Sequence, residues 1–277
     1  METTTHALSV DGIGDIEVTV SERGEGHPIL VLHGGGGPQT VTGWADQFAD
    51  AVPAHVFTPT HPGFAGTPRP GKLDTIAGLA TVYVALLDEL GLTDVTVVGN
   101  SIGGWIAAEI AILHPARVSS YVIVDAVGIE VAGHPVADFF SLTPSEVAQR
   151  SYHDPATFGI DPTTLPPQAQ ALMAGNRAAL ATYGGTAMTD PTLARRLQAV
   201  STPTLVVWGD SDRIGDPDFG RAYAAAIPGA QFQLLPGTGH MPQIETPEAL
   251  TRAVWDFADT HAAAAAAHMT GCSRSRG

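Results

Sequence analysis

Six residues constrain this chain more than any other feature: Gly99-Asn100-Ser101-Ile102-Gly103-Gly104. They follow Val95 to Val98, an apolar run that reads as a buried strand, and run into Ile102 to Leu113, which reads as a helix ended by Pro115. A serine in so sharp a strand-to-helix turn is forced into a strained backbone conformation. Its neighbours must be small, because side chains there would collide with the adjoining strand and helix. The strain exposes the hydroxyl at the carboxyl edge of a sheet.

The surrounding pattern supplies such a sheet. Val10 and Ile16 to Val20, separated by Asp11-Gly12-Ile13-Gly14, predict a starting hairpin. Ile29 to Leu32 is a compact apolar run ending in His33 and four glycines, which suits a buried parallel strand and a tight loop. His55 to Phe57 predicts the next strand, Asp74 caps a helix over about 75–90, and Tyr121 to Val124 predicts another strand. This alternation predicts an α/β chain with a mostly parallel sheet flanked by helices.

Between Gly128 and Val200 the alternation stops, and proline-punctuated helical pieces take over. Thr143-Pro144-Ser145-Glu146 has capping-box spacing, and Asp190-Pro191 opens another helix in the same way. Strands resume at Thr204 to Trp208 and Gln231 to Leu235, and Thr246-Pro247-Glu248 opens a last helix. With 277 residues and about 150 per domain, the chain allows two small domains or one large domain with an insertion. The expected division is a core over 1–127 and 200–261, a helical insertion over 128–199 and a disordered tail over 262–277.

Charge narrows the partners. Thirteen Lys and Arg against 28 Asp and Glu give a net charge of −15, which repels phosphate backbones and anionic lipid headgroups. Nucleic-acid and membrane-surface roles are therefore not expected. A single cysteine, Cys272, forms no intrachain disulfide, and no Cys/His cluster has zinc spacing, so neither a disulfide framework nor a metal is expected. Gly66-Thr67-Pro68-Arg69-Pro70-Gly71-Lys72 imitates a phosphate-binding loop, but Leu73 stands where a magnesium-binding hydroxyl belongs and two prolines remove backbone donors. The N-terminus lacks a signal-peptide pattern and no apolar stretch reaches the ~20 residues of a membrane span. The expectation is a cytoplasmic protein acting on a small molecule, with a homodimer left open.

Serine is a poor nucleophile until a base removes its proton, and that base must be held by a carboxylate. His240 lies in the glycine-bounded Gly237-Thr238-Gly239-His240-Met241-Pro242, after the last predicted strand. Asp212 lies in Trp208-Gly209-Asp210-Ser211-Asp212-Arg213, after the preceding strand. Asp210 reads as a loop residue and Asp216 as the cap of a helix beginning at Pro217.

The order Ser101, Asp212, His240, together with His33-Gly34-Gly35-Gly36-Gly37 and Glu245-Thr246-Pro247-Glu248, resembles the α/β-hydrolase superfamily over about residues 6–260. That resemblance implies the α/β-hydrolase fold with a helical cap inserted after the sixth strand. It also implies an oxyanion hole from the backbone N–H groups of Gly35 and Ile102. It leaves Asp125, at the end of the sixth strand, as a rival to Asp212. The chain departs from the pattern at Thr60-His61-Pro62-Gly63, where similar proteins carry an aspartate before the Pro-Gly turn.

A serine at the turn implies acyl transfer: hydrolysis of an ester, lactone or thioester without a cofactor. The chain also resembles the meta-cleavage-product hydrolases, which cleave carbon-carbon bonds. That likeness adds Arg177, in the cap, as a candidate substrate contact, although Met241 stands where similar enzymes carry a tryptophan after the catalytic histidine; Gly34, Asn100, Met241 and Phe139, the last as apolar surface of the cap, are further candidate substrate contacts. A slow hydrolytic ligand receptor on the same fold is the third reading.

Overall fold

The computed structural model describes residues 2–272, with side chains through position 262. Eight strands form one sheet: β1 (Glu2–Val10), β2 (Gly14–Gly24), β3 (His27–Leu32), β4 (Ala54–Pro59), β5 (Val95–Asn100), β6 (Val118–Val124), β7 (Thr204–Gly209) and β8 (Gln231–Leu235). Their spatial order is β1-β2-β4-β3-β5-β6-β7-β8. The predicted hairpin is present, with Val10 opposite Gly14, and β2 also pairs antiparallel with β4; all remaining pairings are parallel. Every residue of β5 and of β7 is buried, as strands covered on both faces require.

Helices cover the two faces. On one lie α2 (Ile76–Glu89), α3 (Ile102–Ile112) and α8 (Pro217–Ala225), whose Tyr83, Ile106 and Tyr223 share a core with Leu32, Val97 and Ile123. On the other lie α1 (Gln39–Ala51) and α10 (Pro247–Cys272), where Trp44, Phe48 and Phe257 pack on Val31, Val98 and Val207. The sequence reading overlooked α1. Its signal was available: Val41, Trp44, Ala45 and Phe48 are buried at helical spacing.

Two caps differ from expectation by small steps. Thr75 caps α2, accepting the Gly78 N–H at 3.0 Å in place of Asp74. Asp190 accepts the Thr192 N–H, and the helix begins two residues later.

Between β6 and β7 the chain forms α4 (Pro144–Ser151), α5 (Pro155–Phe158), a 3-10 turn, α6 (Pro167–Gly184) and α7 (Leu193–Leu197). The capping box at Thr143 and Glu146 is formed in both directions. Arg196 on α7 donates to both oxygens of the buried Glu109 on α3 and to Asp190, pinning the end of this segment to the sheet's helical layer. A short α9 (Pro242–Glu245) precedes α10. The backbone of α10 continues through Cys272, beyond the position where the tail was expected to begin. The rest of the expected disordered tail lies outside the described residues. No helix among the described residues is long and apolar enough to cross a membrane.

Candidate active site

Ser101 sits between β5 and α3 at φ +58° and ψ −119°, a conformation that costs a non-glycine residue energy and persists only when its surroundings enforce it. The enforcement is visible. Its N–H donates to Val124 O at 3.0 Å, and its carbonyl accepts the Trp105 N–H at 3.2 Å. A Cβ on Gly103 would overlap the Leu32 carbonyl, and one on Gly104 would come within 2.6 Å of the Ala126 Cβ. The three chain segments therefore touch backbone to backbone.

The loop after β3 lies across this turn. A Cβ on Gly34 would stand 3.3 Å from the Ser101 Cβ and 3.1 Å from Asn100 Oδ1. Among the described residues, neither the Gly35 N–H nor the Ile102 N–H has an intramolecular acceptor. Two free donors thus flank a partly exposed serine.

His240 and Asp212 meet directly: Nδ1 of His240 donates to Oδ2 of Asp212 at 2.8 Å, with the two residues 6% and 2% exposed. Oδ1 of Asp212 accepts the Ile214 N–H at 2.7 Å, so both carboxylate oxygens are engaged. β7 and β8 bring the two loops together, since Gly209 and Leu235 pair at their carboxyl ends.

The His240 loop is held on three sides. Its N–H donates to Ser151 O at 2.7 Å, Asn100 Nδ2 donates to its carbonyl at 3.0 Å, and the Gly239 N–H donates to Glu245 Oε2 at 2.6 Å. Gln243 then donates to Asn100 Oδ1 at 3.2 Å. Asn100 is 5% exposed, so it works as a bracket between the serine turn and the histidine loop. Neither Gln243 nor Ser151 carries a local sequence signal for these contacts, because each acts through a partner more than 40 residues away.

A second buried cluster fixes the loop that carries Gly34 and Gly35. His33 and His61 are both 0% exposed, and their rings stack with centroids 3.6 Å apart. Nδ1 of His33 donates to Gly34 O, and its Nε2 accepts the His61 N–H. Nε2 of His61 donates to His33 O at 2.9 Å, while its Nδ1 accepts from Tyr83. Each ring uses one nitrogen as donor and one as acceptor, which requires both to be neutral. At the turn where an aspartate was expected, His61 makes the polar contacts.

Burial holds His33 down to about 4, and burial, reinforced by His33, holds His61 well below its ordinary value. Because the folded values lie below the unfolded ones, the unfolded chain binds more protons between them. The contribution is therefore complete above about pH 6.5 and is lost as pH falls towards 4; for His33 alone it is about 3 kcal/mol. Chemical denaturation at pH 7.5 and pH 5 should show a steep loss in the wild type and a shallower one in His61→Asn. Equal losses would contradict this account.

The remaining candidates are placed as follows. Asp216 caps α8 and pairs with His134 at 2.7 Å, and Asp210 accepts from its neighbour Ser211 and from the Thr238 N–H of the loop that carries His240. Arg177 donates to the carbonyls of Phe139 and Phe140 at 3.0 and 2.9 Å, with its guanidinium over both rings at 4.7 and 5.1 Å. It ties α6 to the stretch before α4. Met241 is the half-buried residue just before α9. Asp125 is fully buried beside the His240–Asp212 pair; one oxygen of each carboxylate and a ring nitrogen of His240 lie within 4.8 Å of one another.

Residues 29–253 match the model of the alpha/beta hydrolase family. The chain is 32% identical over 254 residues to a 2-hydroxymuconate semialdehyde hydrolase of Pseudomonas putida, covering 85% of this chain and 88% of that one. It is 26% identical to a 2-hydroxy-6-oxo-6-phenylhexa-2,4-dienoate hydrolase of Burkholderia cepacia, covering 90% and 94%. Among solved structures it superposes on a thermophilic esterase from Thermogutta terrifontis with a TM-score of 0.75 at 24% identity, covering 93% of this chain and 99% of that one. With a strained serine at the β5–α3 turn and a histidine–aspartate pair beside it, the chain belongs to the alpha/beta hydrolase family.

Proposed function

We propose that the chain hydrolyses small carboxylic esters, lactones or thioesters through an acyl-enzyme on Ser101. The observation that carries this reading is the buried His240–Asp212 hydrogen bond tied, through Asn100, to the turn that strains Ser101. Ser101 Oγ attacks the carbonyl carbon while His240 takes its proton, and Asp212 holds the imidazole in the required tautomer and stabilises the imidazolium. The free N–H groups of Gly35 and Ile102 receive the developing oxyanion. His240 then returns the proton to the leaving group, and a water repeats the sequence to release the acid.

The helices between β6 and β7 act as the cap in this reading. A Cβ on Gly35 would stand 2.6 Å from Leu180 Cδ2 on α6, so the segment lies close over the oxyanion loop. An organophosphonyl fluoride tests the assignment: one adduct should form, on Ser101, with parallel loss of p-nitrophenyl acetate turnover. Labelling elsewhere with Ser101 untouched would overturn it.

The names of the curated relatives favour a second reading, carbon-carbon bond hydrolysis of a dienoate. Such a substrate bears a carboxylate, and the cap's Arg177 gives Nη2 to two backbone carbonyls and its face to two rings, which turns it towards Phe139 and Phe140. The expected result is ester turnover without bleaching of a yellow ring-fission dienoate at micromolar enzyme. Bleaching lost in Ser101→Ala would reverse the order of the two readings.

A further inference from the structure

Asp125 follows the last residue of β6 and turns its side chain into the interior behind the histidine. Its backbone adopts φ +43°, a left-handed conformation that side chains seldom take, aspartate among the more tolerant. Oδ1 accepts the Gly209 N–H at 2.8 Å. Oδ2 is buried with no partner among the described residues, an unusual state for a carboxylate oxygen.

Two carboxylates this close in a dry setting do not both stay ionised. Which one keeps the charge follows from their donors. Asp212 receives two N–H groups, from Ile214 and His240, whereas Asp125 receives one. The charge therefore stays on Asp212 and the proton goes to Asp125. The orphaned Oδ2 is where that proton belongs.

Resting on the acyl-transfer reading of this site, we infer that Asp125 is held as a neutral carboxylic acid that donates from Oδ2 to Asp212, making it a positioning residue for the Asp212–His240 pair. The charged and titratable groups facing it agree. Its titratable neighbours are Asp212, His240 and Glu245, and burial, with the like charges of Asp212 and Glu245, pushes the Asp125 carboxyl well above its ordinary range. The donated hydrogen bond fixes the rotamer of Asp212 and draws off part of its charge. Both effects reach His240, the first as orientation and the second as a lower proton affinity.

A neutral acid and an amide have nearly the same shape, and this makes the inference testable. Asp125→Asn keeps an acceptor for Gly209 N–H and a donor towards Asp212, so kcat for p-nitrophenyl acetate should stay within about threefold and the acidic limb of kcat/KM against pH should not move. Asp125→Ala removes the donor; activity should fall about tenfold or more, and the acidic limb should shift to higher pH because Asp212 then carries its full charge.

A shift to lower pH in Asp125→Asn would mean that a real negative charge had been removed, and would overturn the inference. An acidic limb unmoved in Asp125→Ala would do so too, since it would leave Asp125 a purely structural role. Should Asp125→Ala fail to fold, infrared difference spectroscopy decides: wild type at pH 7 should show the carbonyl stretch of a buried protonated acid that Asp125→Asn lacks, and its absence overturns the inference. That band reports on Asp125 whether or not Ser101 is the nucleophile, so failure of the acyl-transfer reading, seen as turnover surviving in Ser101→Ala, is a separate outcome.

Discussion

Ser101→Ala and His240→Ala should each lower kcat for p-nitrophenyl acetate by roughly 10⁴- to 10⁶-fold while leaving KM within a few-fold of wild type. The size follows from what the two residues share. Without the hydroxyl no acyl-enzyme forms; without the imidazole the hydroxyl keeps its proton and stays a weak nucleophile. KM is spared because neither change touches the surfaces that hold the ground state. The double variant should be no slower than the worse single one, since both remove the same step. Asp212→Asn should cost on the order of 10⁴-fold, because an amide facing Nδ1 favours the wrong tautomer. Circular dichroism and melting curves separate this loss from unfolding. Comparable turnover in Ser101→Ala and wild type would remove the acyl-enzyme mechanism altogether.

The parts of this site legible in sequence are those set by local geometry. The serine turn could be found because a strained turn between strand and helix demands small neighbours at fixed offsets, and Gly99, Gly103 and Gly104 stand at those offsets. Asp212 and His240 were legible for a related reason: both lie beyond the carboxyl end of a predicted strand, where a parallel sheet presents its loops. The strand pattern gave β8 at its full extent, Gln231–Leu235, and β7 to within one residue.

What sequence left hidden is contact at a distance. Nothing near Arg177 announces that its Nη2 reaches the carbonyls of Phe139 and Phe140, 38 and 37 residues earlier. His61 carries no local sign of its partners, since His33 and Tyr83 come from β3's end and from α2. Asp125 could be named as a rival to Asp212 but not given a role of its own. That role rests on counting N–H donors around two carboxylates, which only the fold brings together.

Gly103→Ala should be a severely damaging single-methyl change at the site, for a reason of space and not of backbone freedom. Gly103 is the second residue of α3 and lacks the positive φ that would favour glycine, so alanine's own helix propensity does not oppose the change. Its added Cβ, however, would overlap the Leu32 carbonyl and come within 2.7 Å of the His33 carbonyl. Those atoms are backbone at the end of β3, held by pairing of Leu32 with Gly99 on β5, so no side chain can swing aside. Either α3 or the end of β3 must move, at about 3 kcal/mol or more, lowering Tm by roughly 6–12 °C for a domain of this size. The same displacement carries Gly34 and Gly35 away from Ser101, so kcat should fall further than loss of folded protein explains. Gly43→Ala is the control: it sits inside α1 with nothing within 4 Å of the added Cβ, and should raise stability by up to about 1 kcal/mol without touching kcat. If both variants melted alike, the close approach of α3 to β3 would not be what fixes the serine turn.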